Sequence, residues 1–343
     1  MSKRSAYKNI TLSDVAKKAK VSVSTVSRVL NNPDIVDEIT KENVQTAIEE
    51  LGYVHVKQKS NKKSKLKGVI AFLVVDVDNP HFQEMIRSIE EKLAKMNYSM
   101  LLCIFNNNES TIDKYCESLL ERNIDGCIMT CLRPSDTSPW ISKFINQIPT
   151  VSIQSDVAGV DSINTMEEES TYEMLERLVQ YGHTKIGFVG YSWNLSIGER
   201  RFNAYKKIHE KYNIPFREEY VGYAGSDLQS GYQEGCRILS LPDRPTAIHC
   251  FNTKVAMGVY IAIRDNKLRI PEDISLSAFD DAPITQLFTP PLSVVSQPLE
   301  AMVSTAIDFL MKRIEGNRNA PLQHVIFPNT IMQRESIGSV KNK

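Results

Sequence analysis

Apolar residues recur along this chain in two registers. Near the amino terminus the spacing is helical: Leu12, Val15, Ala16 and Ala19 share one face, Val26, Val29 and Leu30 a second, and Val44, Ala47, Ile48 and Leu51 a third. The pattern predicts three short helices. Thr11 is placed to cap the first, with Asp14 three residues on to complete a capping box. After a turn at Lys20-Val21-Ser22, Ser22 is placed to cap the second. Asp37 is placed to cap the third, and Gly52 to stop it. On the second helix Val23, Ser24, Ser27 and Arg28 are left facing outward.

From Gly68 the register changes. Short runs rich in Val and Ile alternate with amphipathic stretches: GVIAFLVV before a helix at 80–97, SMLLCIF before 109–122, GCIMT before 138–147, and TVSIQ before 167–181. KIGFVG precedes a helix at 197–212, AIHCFN one at 254–266, and LSVVSQ one at 298–315; SLSAFD and HVIFP complete the set. Such alternation predicts parallel sheets covered on both faces. About ten strands is many for one such sheet, so two α/β subdomains are expected. In doubly wound sheets, ligands bind beyond the carboxyl ends of the strands, which places a site in the cleft between the two. Residues 54–67, VHVKQKSNKKSKLK, carry six lysines and lose apolar periodicity after Val56; by composition they are a basic linker.

Charge sharpens this division. The formal net charge is zero, yet residues 1–67 hold 14 basic and 7 acidic side chains (+7), and the remainder 27 and 34 (−7). A basic head on an acidic body implies a polyanionic partner for the head alone. A short helix that offers small hydroxyls and one arginine, backed by a second helix, suits a DNA major groove. No apolar run is long enough for a bilayer, and the first residues lack the apolar core of a signal peptide. Six scattered cysteines include no CxxC and no His/Cys zinc spacing. The expectation is a reduced cytoplasmic protein with no cofactor and no structural metal.

The carboxyl ends of the predicted strands carry Asp76, Asp78 and Asn79; Asn106, Asn107 and Asn108; Gln154; Tyr191 and Trp193; Asn252; and Asp280 with Asp281. Arg200 and Arg201 follow Trp193. Carboxylates, amides, arginine and an aromatic suit a neutral polyhydroxylated ligand, with bidentate groups on vicinal hydroxyls and a ring against the apolar side. Individually, many of these residues are equally good helix caps. Enzyme chemistry finds no support: the six histidines do not cluster with a nucleophile or a carboxylate, and GxSxG, Walker and GxGxxG motifs are missing.

Several motifs together resemble one family over nearly the whole length, from about residue 10 to 336. They are TLSDVAKKAKVSVSTVSRVLNNP, EELGY, RNIDGCI, GHTKIGFVG, RPTAIHCFN, IPEDISLSAFDD, TPPLSVVSQP and QRES. The family is the lac repressor (LacI/GalR) family of bacterial transcription regulators. The resemblance implies a small all-α helix-turn-helix head plus an α/β body, two doubly wound parallel-sheet subdomains of periplasmic-binding-protein type. It implies a homodimer or dimer of dimers, acting as a repressor on a near-palindromic double-stranded DNA operator. A small-molecule effector in the cleft, of carbohydrate type, would change operator affinity. The implied domains are a head at 1–53, a linker at 54–67, a first subdomain of 68–160 plus about 291–320, and a second of 161–290 plus about 321–338.

Position by position, the resemblance makes Val23, Ser24 and Arg28 base-reading residues and Ser22, Thr25, Ser27 and Asn31 phosphate-contacting or supporting ones. In the body it makes Arg201, Asn252 and Asp280 polar effector ligands, with Asp76 and Phe82 at the cleft in the first subdomain. Trp193 is read either as a stacking platform or as core packing. The chain departs from the family at His55 and Lys62, where a proline and a minor-groove leucine are usual; a lysine cannot unstack base pairs as an apolar wedge does. Thr253 and Lys254 follow Asn252 where Asp is common, Met166-Glu167 replaces an Asp-Asn pair, and His81 takes an aromatic position. These changes suggest an unusual effector or a charged one partnered by Lys254. Alternatives are a cytoplasmic sugar-binding receptor and a regulator controlled by a protein partner.

Overall fold

The computed structural model describes residues 11–31, 36–51, 53, 68–106, 108–131, 138–155, 157–191, 196–223, 225, 227–316 and 320–340. The chain divides into two compact units, residues 1–65 and 66–343.

In the first unit, α1 spans Leu12–Ala19, α2 Val23–Asn31 and α3 Glu38–Leu51. Thr11 and Asp14 form the capping box, each side chain holding the other's backbone N–H. The Thr25 N–H donates to the Ser22 hydroxyl at 3.1 Å, and the Thr40 N–H to Asp37 at 2.9 Å. These bonds satisfy amides that a helix start leaves orphaned. Lys20 makes the turn in left-handed backbone, φ +56°. Val15, Ala16, Val26, Val29, Val44 and Ala47 close into one buried core.

The second unit is built on two six-stranded sheets. Strands β1 (Val69–Val74), β2 (Ser99–Ile104), β3 (Gly126–Thr130), β4 (Thr150–Ile153) and β5 (Asp161–Thr165) lie in the first, joined by α4 (Pro80–Lys95), α5 (Glu109–Glu121) and α6 (Pro139–Gln147). The chain then crosses through α7 (Glu167–Gln180). In the second sheet it builds β6 (Ile186–Tyr191), α8 (Ser196–Lys211), β7 (Val221–Tyr223), α9 (Leu228–Leu239), β8 (Ala247–Cys250), α10 (Thr253–Asp265), β9 (Ser275–Phe279) and β10 (Ser293–Ser296). It returns with α11 (Leu299–Ile314) and β11 (His324–Phe327), then crosses once more to β12 (Thr330–Met332). The strand orders are β11-β5-β4-β3-β1-β2 and β12-β10-β9-β8-β6-β7. Every pairing is parallel except β10 with β12.

The crossings differ from the subdomain boundaries read from sequence. Residues 161–165 pair with β4 in the first sheet, 293–296 pair with β9 in the second, and 324–327 pair with β5 in the first. Apolar alternation identifies a strand but not its neighbour, so the boundaries could not be placed from it. The helix α9, which carries Gly231 and Gly235, was not among the stretches read from the sequence. Both glycines face α10, where an added Cβ would lie 2.4 Å from the Val255 carbonyl and 2.9 Å from the Ala262 Cβ. Gly258 on α10 returns the contact at 2.1 Å from the Leu228 carbonyl, so the two helices meet backbone to backbone. Residues 54–67, including Lys62, lie outside the described residues.

Candidate DNA-reading helix and ligand cleft

The outward face of α2 is built by its cap. The Ser22 hydroxyl lies 2.7 Å from that of Ser24 and 2.8 Å from that of Thr25, tying the first turn together. Val23 is 47 % exposed, and Ser24 and Arg28 are exposed beside it. Val26 and Val29 point into the core. Ser27 is half-buried, and Asn31 closes the helix. The residues read from sequence as an outward set thus stand on one rigid turn and a half of helix, held from behind by α1 and α3.

In the body, Asp76, Asn79, His81, Phe82, Cys131, Gln154, Arg201, Phe251, Asn252 and Asp280 line one cavity with Val75 and Ile197. Five residues expected at the cleft (Asp76, Phe82, Arg201, Asn252 and Asp280) are brought together there. Trp193 lies outside the described residues. Asn108 is drawn off to cap α5, and Asp281 is held by Arg334 at 2.8 Å. The enclosed space is about 20 Å³. That is room for about one water molecule.

The polar groups of the cleft are largely engaged with one another. Arg201, fully buried, donates from Nε to Glu167 at 2.7 Å and from Nη1 to the Phe251 carbonyl at 2.6 Å. Its guanidinium lies 3.5 Å from the centroid of the Phe279 ring and 4.8 Å from that of Phe251. Lys254, on α10 beside the second sheet, reaches across to Asp76 of the first at 2.8 Å. The structure therefore gives Lys254 a partner within the protein. The Asn252 side-chain carbonyl caps α10 by accepting the Val255 N–H at 2.8 Å.

A directed hydrogen-bond chain spans the cleft. Gln154 Oε1 can only accept, so His81 donates to it from Nε2 at 3.3 Å. Gln154 donates to Gln297 at 2.8 Å, and Gln297 donates to Asp280 at 2.6 Å. The remaining His81 nitrogen, Nδ1, faces Asp280 Oδ1 at 3.8 Å, beyond hydrogen-bond range. Gln297 sits where the chain leaves β10 for α11, so this relay runs through a crossing. Sequence reading had no signal for Gln297, nor for the pairing of Glu167 with Arg201 across 34 positions.

Three lining residues, Cys131, Gln154 and Asp280, hold left-handed backbone at φ +53°, +55° and +73°. Each sits just past the carboxyl end of a strand. Such conformations cost about 1–3 kcal/mol each and persist where the surroundings over-determine them. Burial pushes the Cys131 thiol far above its usual range, so it acts as an apolar wall rather than a nucleophile. Among the described residues no group of three or more His, Cys, Asp or Glu is placed to hold a metal ion, and no helix is long and apolar enough to cross a membrane.

Comparison with known proteins connects the two units. Residues 11–55 match the profile of bacterial regulatory proteins, lacI family, and residues 175–337 that of the periplasmic binding protein-like domain. The HTH-type transcriptional repressor PurR of Yersinia pestis bv. Antiqua (strain Antiqua) is 32% identical over 327 residues, covering 94% of this chain and 96% of the relative. In fold the chain is similar to the lac repressor dimer bound to operator and the anti-inducer ONPF, with TM-score 0.76 at 23% identity over 97% of this chain and 100% of that one. It is also similar to the transcriptional regulator CelR–cellobiose complex, with TM-score 0.70 at 23% identity over 95% and 99%. A head whose capped second helix presents a polar face, a body of two parallel sheets around a polar cleft, and whole-length similarity to such a repressor agree: the chain belongs to the lacI family of bacterial regulatory proteins.

Proposed function

We propose that this protein represses transcription by binding a near-palindromic operator as a dimer, and that a small molecule held in the cleft sets its operator affinity. The observation that carries the reading is the pairing, in one chain, of the α2 face (Val23, Ser24, Arg28) with a cleft lined by Asp76, Phe82, Arg201, Asn252 and Asp280. Val23, Ser24 and Arg28 read base edges. Ser22, Thr25, Ser27 and Asn31 contact or support the phosphate backbone. In the body, Arg201 and Asp280 hold the effector, and Phe82 and Phe251 wall it. The protein is a binding switch and not an enzyme, and its DNA partner places it in the cytoplasm.

The effector acts only through its differential affinity for two arrangements of the sheets, typically about 1–3 kcal/mol of coupling. A sugar or sugar derivative fits the carboxylate, amide and arginine set. A second reading, control by a protein partner, is favoured by the small volume of the cavity. A mobility shift with DNA upstream of the protein's own gene tests the first claim, with scrambled DNA of equal length as control. Equal affinity for both would refute operator recognition. Repeating the titration with sugars, sugar phosphates, nucleosides and nucleobases tests the second. A ligand that changes affinity at least about fivefold supports the small-molecule reading. If none does so and a thermal-shift screen of the same panel is flat, control passes to the partner-protein reading.

A further inference from the structure

Resting on the small-molecule reading, we infer that the cleft selects against anionic effectors, and that Glu167 sets this selectivity by neutralising Arg201 within the site. Arginine in a binding cleft ordinarily invites a carboxylate or phosphate. Here the invitation is already taken. Arg201 and Glu167 are paired at 2.7 Å with both side chains only 1 % exposed, and Arg201 spends a second donor on the Phe251 carbonyl. Lys254, the other cation within reach, is held by Asp76 at 2.8 Å.

Counting the nearest partner of each cation, the cleft holds three carboxylates (Asp76, Glu167 and Asp280) against two cations (Arg201 and Lys254), with the exposed Asp78 also 3.8 Å from Lys254 and the His81 ring 3.8 Å from Asp280. Of the three, Asp280 has no arginine or lysine partner among the described residues, and only the His81 ring faces it, at 3.8 Å. Asp280 is 3 % exposed, accepts one hydrogen bond on Oδ1 from Gln297, and takes none on Oδ2 from a described residue. An anion entering this space would shed its water without meeting an uncompensated positive charge, and would lie against a surplus of negative charge. A ligand that donates hydrogen bonds (a hydroxyl, a ring N–H or an ammonium group) instead completes Asp280. The effector class is therefore neutral or cationic. Phosphorylated and carboxylated relatives of the effector are rejected.

The test uses the full chain and matched probes differing in charge: ribose with ribose 5-phosphate, glucose with glucose 6-phosphate, adenosine with AMP, and uracil with orotate. Binding is read by thermal shift and calorimetric titration. The neutral member of at least one pair binds, and its anionic counterpart binds at least about tenfold more weakly. Glu167→Gln keeps an acceptor for Arg201 but removes the charge, so it should improve binding of the anionic member about tenfold or more while changing its neutral partner less than about threefold. Glu167→Asp, which keeps the charge, preserves the wild-type ratio. Anionic members that bind the wild type as tightly as their neutral partners would overturn the inference and leave the small-molecule reading standing. So would a folded Glu167→Gln variant with an unchanged ratio. Should that variant fail to fold, the wild-type ratio decides alone. If no pair binds at all, both the small-molecule reading and the inference fall.

Discussion

At the scale of single residues, Arg28 and Asp280 make the sharpest claims. Arg28 is exposed on α2 with the buried Val26 and Val29 fixing its direction. Arg28→Ala should cost roughly 1–3 kcal/mol for operator DNA and much less for random DNA, measured as paired dissociation constants at one salt concentration. Equal losses on both would reduce Arg28 to a phosphate contact. Asp280→Asn keeps the shape of the cleft and an acceptor for Gln297 but removes the carboxylate. It should abolish the effector response while leaving operator affinity within about twofold of wild type, as far as the two functions reside in separate units. The placement of both residues was legible in the sequence, Arg28 on an outward helix face from the helical period and Asp280 at a strand end from alternation. The partners of the cleft groups were not. Glu167 and Gln297 read as a helix start and a strand end, and only the crossings of the chain bring them to Arg201 and Asp280.

At the scale of elements, the caps and apolar stripes were nearly sufficient. Helices from α1 to α8 and from α10 to α11 start where a capping residue, a proline or a strand end foretells it. The helix α9 also starts at a capping residue, Asp227, but it was not read from the sequence; its glycines mean close approach and not a break. Gly258 should therefore be far less replaceable than an ordinary helical glycine, where alanine helps. Its added methyl would meet backbone atoms, the Leu228 carbonyl at 2.1 Å and the Tyr232 nitrogen at 2.5 Å, so the helices must part. Gly258→Ala should cost about 1–3 kcal/mol or more, seen as a lower urea midpoint. An unchanged or higher midpoint would mean that α9 and α10 are free to slide. Short strands were the other omission. Residues 161–165, 221–223 and 330–332 carry too few apolar positions to stand out, and pairing with neighbouring strands makes them strands.

For the molecule as a whole, buried histidines govern the response to acid. Burial lowers the pKa of His183, His209 and His249, the last to about 3 from an ordinary 6.5. His183 joins Thr246, Ser275 and the Gly338 carbonyl as a knot at the end of the chain, and His249 lies in the middle of β8 beside Ser277. All three bind a proton less readily in the folded protein than a free imidazole does. Below pH 6.5 the unfolded chain binds protons that the folded imidazoles refuse, so stability falls as pH drops. The slope should reach up to about 1.4 kcal/mol per pH unit for each histidine until its own folded pKa is passed. Urea midpoints of the wild type between pH 8 and pH 5 should be flat above about 7 and decline below 6.5. A midpoint constant down to pH 5 would contradict the burial of these rings as the cause.

The three crossings between sheets also have a consequence for how the protein is made. The first sheet needs β11 at its edge beside β5, and its core needs Met302, Val303, Ala306, Ile307 and Leu310 of α11. Those residues leave the ribosome only after the whole second sheet except β12 has been synthesised. The head, by contrast, has its complete core within the first 53 residues. A growing chain thus carries a finished reading head on a body that stays incomplete for most of translation, with the apolar floor of its first lobe uncovered. A transcript cut short after β9 would yield an aggregation-prone product that still bears a reading head.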